Sequence, residues 1–271
     1  LDHVPDIRLI ACDMDGTLLD DIHAIHDDFW PLIDQLHALG IVFCPASGRQ
    51  YYNLLERFEP IADELIFIAE NGTYVVRGGA ELSSDCLSRD VARDLIRVVR
   101  ELVSGTANVG AVLCGKRSAY IERTDADFLA EVDKYYRRLD RVDDLLAVED
   151  DFLKLAVFDF ESSERVSYPA FSGFRATQQV VVSGKHWLDV MAPQANKGSG
   201  LRHIQDILHI SREQTMVFGD FLNDLEMMDE ATYSFAMANA HPLLKERASF
   251  LAPGNTDNGV VRTIKSVLGI V

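Results

Sequence analysis

Asp13 and Asp15, in Ile10-Ala11-Cys12-Asp13-Met14-Asp15-Gly16-Thr17, carry the chain's clearest chemical signal. The two carboxylates follow the run from Ile7 to Cys12, which reads as a buried strand. Gly16 and Thr17 break that run, so the pair falls where a strand ends and a loop begins. In open α/β sheets the carboxyl ends of strands are where ligands bind. Two anions crowded there repel each other unless a cation or proton sits between them. For this motif alone, an Asp-Gly turn after an edge strand is the competing reading.

Three further clusters have the same character. Pro45-Ala46-Ser47-Gly48-Arg49 again closes an apolar run, and a hydroxyl beside an exposed backbone N–H at a helix start suits an oxyanion, though it also suits an ordinary turn. Asn196-Lys197-Gly198-Ser199-Gly200 opens a helix read as Leu201–Leu208. A lysine at a helix start opposes the helix dipole, so Lys197 calls for an electrostatic partner unless it is a plain surface charge. Met216-Val217-Phe218-Gly219-Asp220 is a strand ending in Gly-Asp, with Asn223 and Asp224 in the first turns of the following helix. Asp220 and Asp224, four apart, share a face; N-capping by Asp220 is the alternative.

The elements that must position these groups largely alternate. Phe29, Leu32, Ile33, Leu36 and Leu39 lie on one helical face, and Gly40 stops that helix. Ile41–Pro45 and Leu65–Ala69 read as strands, and 73–82 as a hairpin. This rhythm predicts a Rossmann-like parallel sheet with helices on both faces. Residues 83–184 differ, with helices at Val91–Val103 and Asp127–Leu139. Strands are read at Val109–Leu113, Ala119–Glu122, Leu153–Phe160 and Gln179–Val182, and a helix near Glu164–Phe171. That is an inserted α+β cap, mostly antiparallel and large enough for its own core. The core domain is assigned to residues 1–82 and 185–271, resuming at Trp187-Leu188-Asp189-Val190.

With 271 residues and 48% hydrophobic content, the chain can bury a large core. No apolar run approaches the roughly 18 residues of a membrane span. The opening residues 1–6 have neither a basic segment nor an apolar centre, so the expectation is a soluble, cytoplasmic protein. A net charge of −17 disfavours nucleic acid and anionic membranes as partners. It does not disfavour a small phosphorylated substrate, because distant charges are screened beyond about 8 Å. Cys12, Cys44, Cys86 and Cys114 form no metal-like cluster.

Together the four segments resemble the signature motifs of the haloacid dehalogenase superfamily of phosphohydrolases. The matches are Asp13-x-Asp15-Gly16-Thr17, Ser47-Gly48-Arg49, Lys197 and Gly219-Asp220-x-x-Asn223-Asp224, in the family's order. The insertion, with Glu70-Asn71-Gly72 and Thr256-Asp257-Asn258-Gly259-Val260, resembles the Cof-type branch with an α/β cap. Phe221-Leu222 and Gln194-Ala195-Asn196 depart mildly from its pattern and replace no ligand.

The residues support a matching mechanism. A phosphomonoester carries about two negative charges, and Mg²⁺ is a hard ion that takes oxygen ligands. Asp13, Asp220 and the backbone carbonyl of Asp15 can supply these, while Asp224 either holds a metal-bound water or braces Lys197. Ser47, the Met14 and Gly48 backbone N–H groups, Lys197 and Asn223 can hold the phosphoryl oxygens. Asp13 is the expected nucleophile, giving an aspartyl-phosphate, and Asp15 the general acid and base. A phosphomutase of the same superfamily and a non-catalytic phospho-ligand regulator are the alternatives. Keeping both nucleophile and acid argues against the regulator. The expected substrate is a small phosphorylated metabolite, of the sugar phosphate type. Arg123, Lys154, Arg175, Lys185 and His186 are the candidate cap contacts, each also readable as solvated surface.

Overall fold

The structure is a computed structural model that describes residues 4–270; residues 1–3 of the opening segment lie outside it. Eight strands form the first sheet: β1 (Leu9–Asp13), β2 (Val42–Ala46), β3 (Ile66–Ala69), β4 (Tyr74–Arg77), β5 (Ala80–Ser84), and later β12 (Thr215–Gly219), β13 (Tyr233–Met237) and β14 (Phe250–Ala252). Their order is β14-β13-β12-β1-β2-β3-β4-β5, parallel from β14 to β3 and antiparallel through the β4–β5 hairpin. All five residues of β1 and of β12 are buried, as expected of parallel strands covered on both faces. Packed around this sheet are α1 (Phe29–Ala38), which buries Phe29, Leu32, Ile33 and Leu36, and α2 (Tyr51–Arg57).

The inserted segment begins with α3 (Arg89–Ser104), β6 (Val109–Gly115), β7 (Ala119–Ile121), α4 (Ala126–Val132) and β8 (Leu139–Arg141). It continues through β9 (Phe152–Asp159), the short α5 (Tyr168–Ala170), β10 (Gln179–Val182) and β11 (Trp187–Met191). The strands build a second sheet, β10-β11-β9-β6-β7-β8, antiparallel except for β7–β8. The helix expected to reach Leu139 stops at Val132, and Leu139–Arg141 is instead an edge strand.

One boundary is corrected. Trp187–Val190 does not resume the first sheet: β11 pairs antiparallel with both β9 and β10. The chain returns only at α6 (Lys197–Leu208), followed by α7 (Leu225–Asp229), α8 (Pro242–Arg247) and α9 (Gly259–Leu268). An apolar run does not encode which sheet edge it joins, because its hydrogen-bonding partners are distant in sequence.

Strand alternation sorts the second sheet's faces. Val109, Leu113, Leu155 and Val157 enter one core with α3, whereas Val112, Cys114, Ala156 and Phe158 enter another with Phe128 and Tyr136. Lys154 shares the second face with Ala156 and Phe158. Across the ladder, Trp187 lies opposite Phe158 and Asp189 opposite Ala156. Two rings and two charges therefore share the face that borders the site.

Candidate active site

β12, β1 and β2 are adjacent and parallel, so their carboxyl ends open together. Asp13 ends β1, the Ser47–Arg49 turn follows β2, and Asp220 follows β12. Lys197 reaches the same point from the first turn of α6. There Asn196 accepts from the Ser199 N–H at 2.8 Å and the Ser199 hydroxyl receives the Asn196 N–H, a reciprocal cap that fixes the helix start.

The fully buried Lys197 donates to Asp13 Oδ1 at 2.5 Å and to Asp224 Oδ1 at 2.7 Å. Asp224 Oδ2 accepts the backbone N–H groups of Asp220 and Phe221 at 3.0 and 3.2 Å. Asp224 thus both braces Lys197 and closes the 220–224 turn, in place of the alternative reading in which Asp220 caps it. Two glycines make room. A Cβ on Gly16, whose φ is +79°, would fall 2.2 Å from Asp220 Oδ2, and one on Gly219 would fall 2.6 Å from Asp224 Oδ2.

One lysine faces three carboxylates here. Burial, reinforced by the charge of Asp224, pushes the Asp13 carboxyl up to about 7 despite Lys197. Burial and the charge of Asp13 push Asp220 up to about 9. One oxygen each from Asp13, Asp220 and Asp224 lie within 4.8 Å of one another. Asp13 Oδ2 is buried without a hydrogen-bond partner among the described residues. A buried, unpartnered carboxylate oxygen beside two further anions fits a hard cation with oxygen ligands.

Asp15 is placed differently. Arg49 Nε donates to its Oδ2 at 2.6 Å, another guanidinium nitrogen donates to Oδ1 at 2.5 Å, and His23 Nδ1 lies 3.1 Å from Oδ1. Burial opposes ionisation, but the His23 and Arg49 hydrogen bonds and the Arg49 charge outweigh it and hold the carboxyl well below its usual range. In this arrangement Asp15 is a carboxylate, with a base's lone pairs and no acid proton. The remaining Arg49 nitrogen donates to the Lys134 carbonyl at 2.7 Å and to Asn53 at 3.1 Å.

Ser47 is buried, and its hydroxyl accepts the Arg49 N–H at 3.1 Å. Asn223 donates to Asn71 Oδ1 at 2.9 Å. A cavity of about 390 Å³ runs from Asp13, Ser47 and Asn223 to a wall formed by Tyr135, Phe158 and Trp187. The rings of Phe158 and Tyr135 meet Trp187 edge-on at 5.0 and 5.4 Å. Among the candidate cap contacts, Lys154, Lys185 and His186 line this cavity. Arg123 is instead engaged by Asp125 and Asn108, and Arg175 stacks over Tyr168. Lys154 is not solvated surface but 1% exposed: it donates to the Gly48 carbonyl at 2.7 Å and pairs with Glu70 and Asp189. Sequence reading named Arg49, Asn71 and Asp189 within their segments but not as the partners of Asp15, Asn223 and Lys154. For Asp189, as for Lys154, the signal was a charged residue at an inward position of an otherwise apolar strand.

The family profile described as haloacid dehalogenase-like hydrolase matches residues 10–264. The chain belongs to the haloacid dehalogenase-like hydrolases. As a member of that family it is an enzyme of the phosphatase kind its curated relatives represent. Among them, the 5-amino-6-(5-phospho-D-ribitylamino)uracil phosphatase YbjI of Escherichia coli (strain K12) is 36% identical over 267 residues, covering 97% of this chain and 96% of the relative. The crystal structure of SMU.1108c from Streptococcus mutans UA159 superposes with a TM-score of 0.89 at 25% identity, covering 97% and 99% of the two chains. A haloacid dehalogenase-like hydrolase from B. subtilis, at 22% identity and a TM-score of 0.85, shares the fold over 96% and 99%. The resemblance read from the four motifs thus extends along nearly the whole hydrolase. Among the described residues, no helix is long and apolar enough to cross a membrane.

Proposed function

We propose that this hydrolase is a Mg²⁺-dependent phosphomonoesterase working through an aspartyl-phosphate on Asp13. The observation that carries this reading is the asymmetry of Asp13: Lys197 anchors Oδ1, while buried Oδ2 has no partner among the described residues. Asp13, Asp220 and the Asp15 carbonyl would hold the ion, with Asp224 alongside. When bound, Mg²⁺ supplies charge neutralisation for the carboxylates and one phosphoryl oxygen.

The chain's own residues do the rest. Asp13 forms the new O–P bond as the bond from phosphorus to the leaving oxygen breaks. Ser47, the Met14 and Gly48 N–H groups, Lys197 and Asn223 hold the remaining phosphoryl oxygens. Asp15 delivers a proton to the leaving alkoxide, which requires it to take up a proton and leave the Arg49 fork. Ionised again, it removes a proton from water. That water's oxygen attacks phosphorus, the Asp13–phosphorus link breaks, and inorganic phosphate departs. The inserted segment, from about residue 83 through β11, acts as the lid that excludes water and selects substrate.

For the substrate we infer a phosphorylated sugar or polyol whose far end carries a planar ring. The Tyr135–Phe158–Trp187 wall supports the ring, and the substrate in the name of the E. coli relative joins a phosphorylated ribityl chain to a uracil. Phosphate release from a panel of sugar, polyol and nucleotide esters, with and without Mg²⁺, tests the reading. Asp13→Asn should abolish turnover while leaving a folded protein. Near-normal release by that variant would sink the covalent mechanism. Phosphate returned to sugar only with a bisphosphate activator would indicate a mutase instead.

A further inference from the structure

Glu70 and Asn71 adopt left-handed backbone, with φ of +51° and +58°, and Gly72 follows at +94°. Two successive non-glycine residues in that region carry a steric cost and persist only where the surroundings overdetermine them. Here they do. The Glu70 N–H donates to the Arg49 carbonyl at 3.0 Å and the Asn71 N–H to the Ser47 carbonyl at 2.9 Å, which staples the turn onto the Ser47–Arg49 loop. A Cβ on Gly72 would lie 2.0 Å from the Asn196 carbonyl, so the turn also abuts the start of α6.

The buried Asn71 side chain has two partners in different lobes. Its amide donates to Asp189 Oδ2, from β11 of the second sheet, and its carbonyl oxygen accepts from Asn223 at 2.9 Å. Lys154, from β9, completes a parallel path: its ammonium donates to the Gly48 carbonyl at 2.7 Å and sits 3.0 Å from Glu70 and 3.4 Å from Asp189. Every link is at least nine-tenths buried except Asn223 and Gly48, where the paths open into the cavity.

We propose that Lys154, Asp189 and Asn71 are positioning residues that let the second sheet set the phosphate-binding groups. Asp189 orients Asn71, which orients Asn223; Lys154 fixes the Gly48–Arg49 peptide through the Gly48 carbonyl, next to the peptide that carries the Gly48 N–H. This rests on the reading of Asn223 and Gly48 as phosphoryl contacts. It assigns Lys154 a role opposite to that of a substrate-contacting lid residue. Disturbing it weakens the grip on the phosphoryl group, common to all substrates, and leaves discrimination between leaving groups unchanged.

The experiment uses inorganic phosphate as a competitive inhibitor, with one aryl and one alkyl phosphate as substrates. Asn71→Asp keeps the acceptor for Asn223 but turns the donor facing Asp189 into a second carboxylate. It should raise the phosphate Ki, and the KM of both esters, by a common factor of about 10 or more. Adding Asp189→Asn to Asn71→Asp restores a donor–acceptor pair with the roles exchanged, and should recover the Ki to within about threefold. Lys154→Met should lower kcat/KM equally for both esters. A purely structural role would lower the melting temperature and active fraction but leave Ki and KM unmoved. An unchanged Ki in Asn71→Asp, no recovery in the double variant, or a Lys154→Met loss confined to one ester would each overturn the relay. Asn223→Ala separates the underlying reading: if it leaves the phosphate Ki unaltered, Asn223 is no phosphoryl contact. If it raises Ki while the Asn71 variants do not, the relay alone fails.

Discussion

Arg49 grips Asp15 through both carboxylate oxygens while its remaining nitrogen donates to the Lys134 carbonyl in the inserted lobe. Its guanidinium also lies 4.6 Å from the centre of the Tyr135 ring. The residue expected to shuttle protons is thereby tied to the placement of the lid. Within this grip it is an anion, ready to accept a proton; to donate one it must first be released.

Asp15→Asn separates the two halves of the reaction. The variant should still bind Mg²⁺, because the proposed ligand at that position is the backbone carbonyl. Its phosphorylation rate on alkyl esters should fall by about 10²–10⁴-fold, the usual contribution of general acid catalysis. Aryl esters, with better leaving groups, should lose less in that step and accumulate phosphoenzyme. Single-turnover measurement of both substrates decides: equal losses would show that Asp15 is not the acid.

Stability of the metal-free protein should fall with rising pH. Burial and mutual repulsion raise Asp13 to about 7 and Asp220 to about 9, against 3.8 for the free side chain. Between about pH 4 and 9 the folded state therefore binds more protons than the unfolded chain, and such an excess makes stability decline as pH rises. A cation that binds the deprotonated cluster reverses this, so Mg²⁺ should raise the melting temperature more near pH 8 than near pH 5. Asp220→Asn should flatten the metal-free slope. Equal Mg²⁺ shifts at both pH values would contradict the assignment.

Gly16→Ala tests the loop geometry. The added methyl would meet Asp220 Oδ2 at 2.2 Å, on a backbone whose φ of +79° disfavours any side chain. A stability loss of about 1–3 kcal/mol is expected from strain at such a position. Mg²⁺ affinity, followed by titration calorimetry, should weaken with it. An alanine variant with unchanged metal affinity and melting temperature would mean that Asp220 is free to move aside.

Trp187→Leu addresses the ring-binding wall. For phosphate esters bearing a planar ring, kcat/KM should drop by about 5- to 100-fold, the scale of one lost stacking contact. Ring-free polyol phosphates should change little. An equal loss on both classes would place the ring elsewhere or remove it from the substrate.

How much of this was legible in the residues varies with the range of the interaction. Asp13 was readable as a ligand at a strand end because an apolar run, a carboxylate and a turn glycine are neighbours in sequence. The first sheet was readable for the same reason, since periodicity and helix stops are local. The order of the four motifs further implied that their segments meet, and Lys197 does lie between Asp13 and Asp224. What only the tertiary structure decided are pairings across long separations. Trp187–Met191 looked like returning core because its apolar pattern is equally compatible with either sheet. Lys154 was readable as solvent-facing charge because burial of an ion depends on partners 35 or more residues away. The charge state of Asp15 is the sharpest case. Its own neighbours mark it as catalytic, but Arg49, 34 residues on, holds it as an anion, and only the folded chain brings the two within reach.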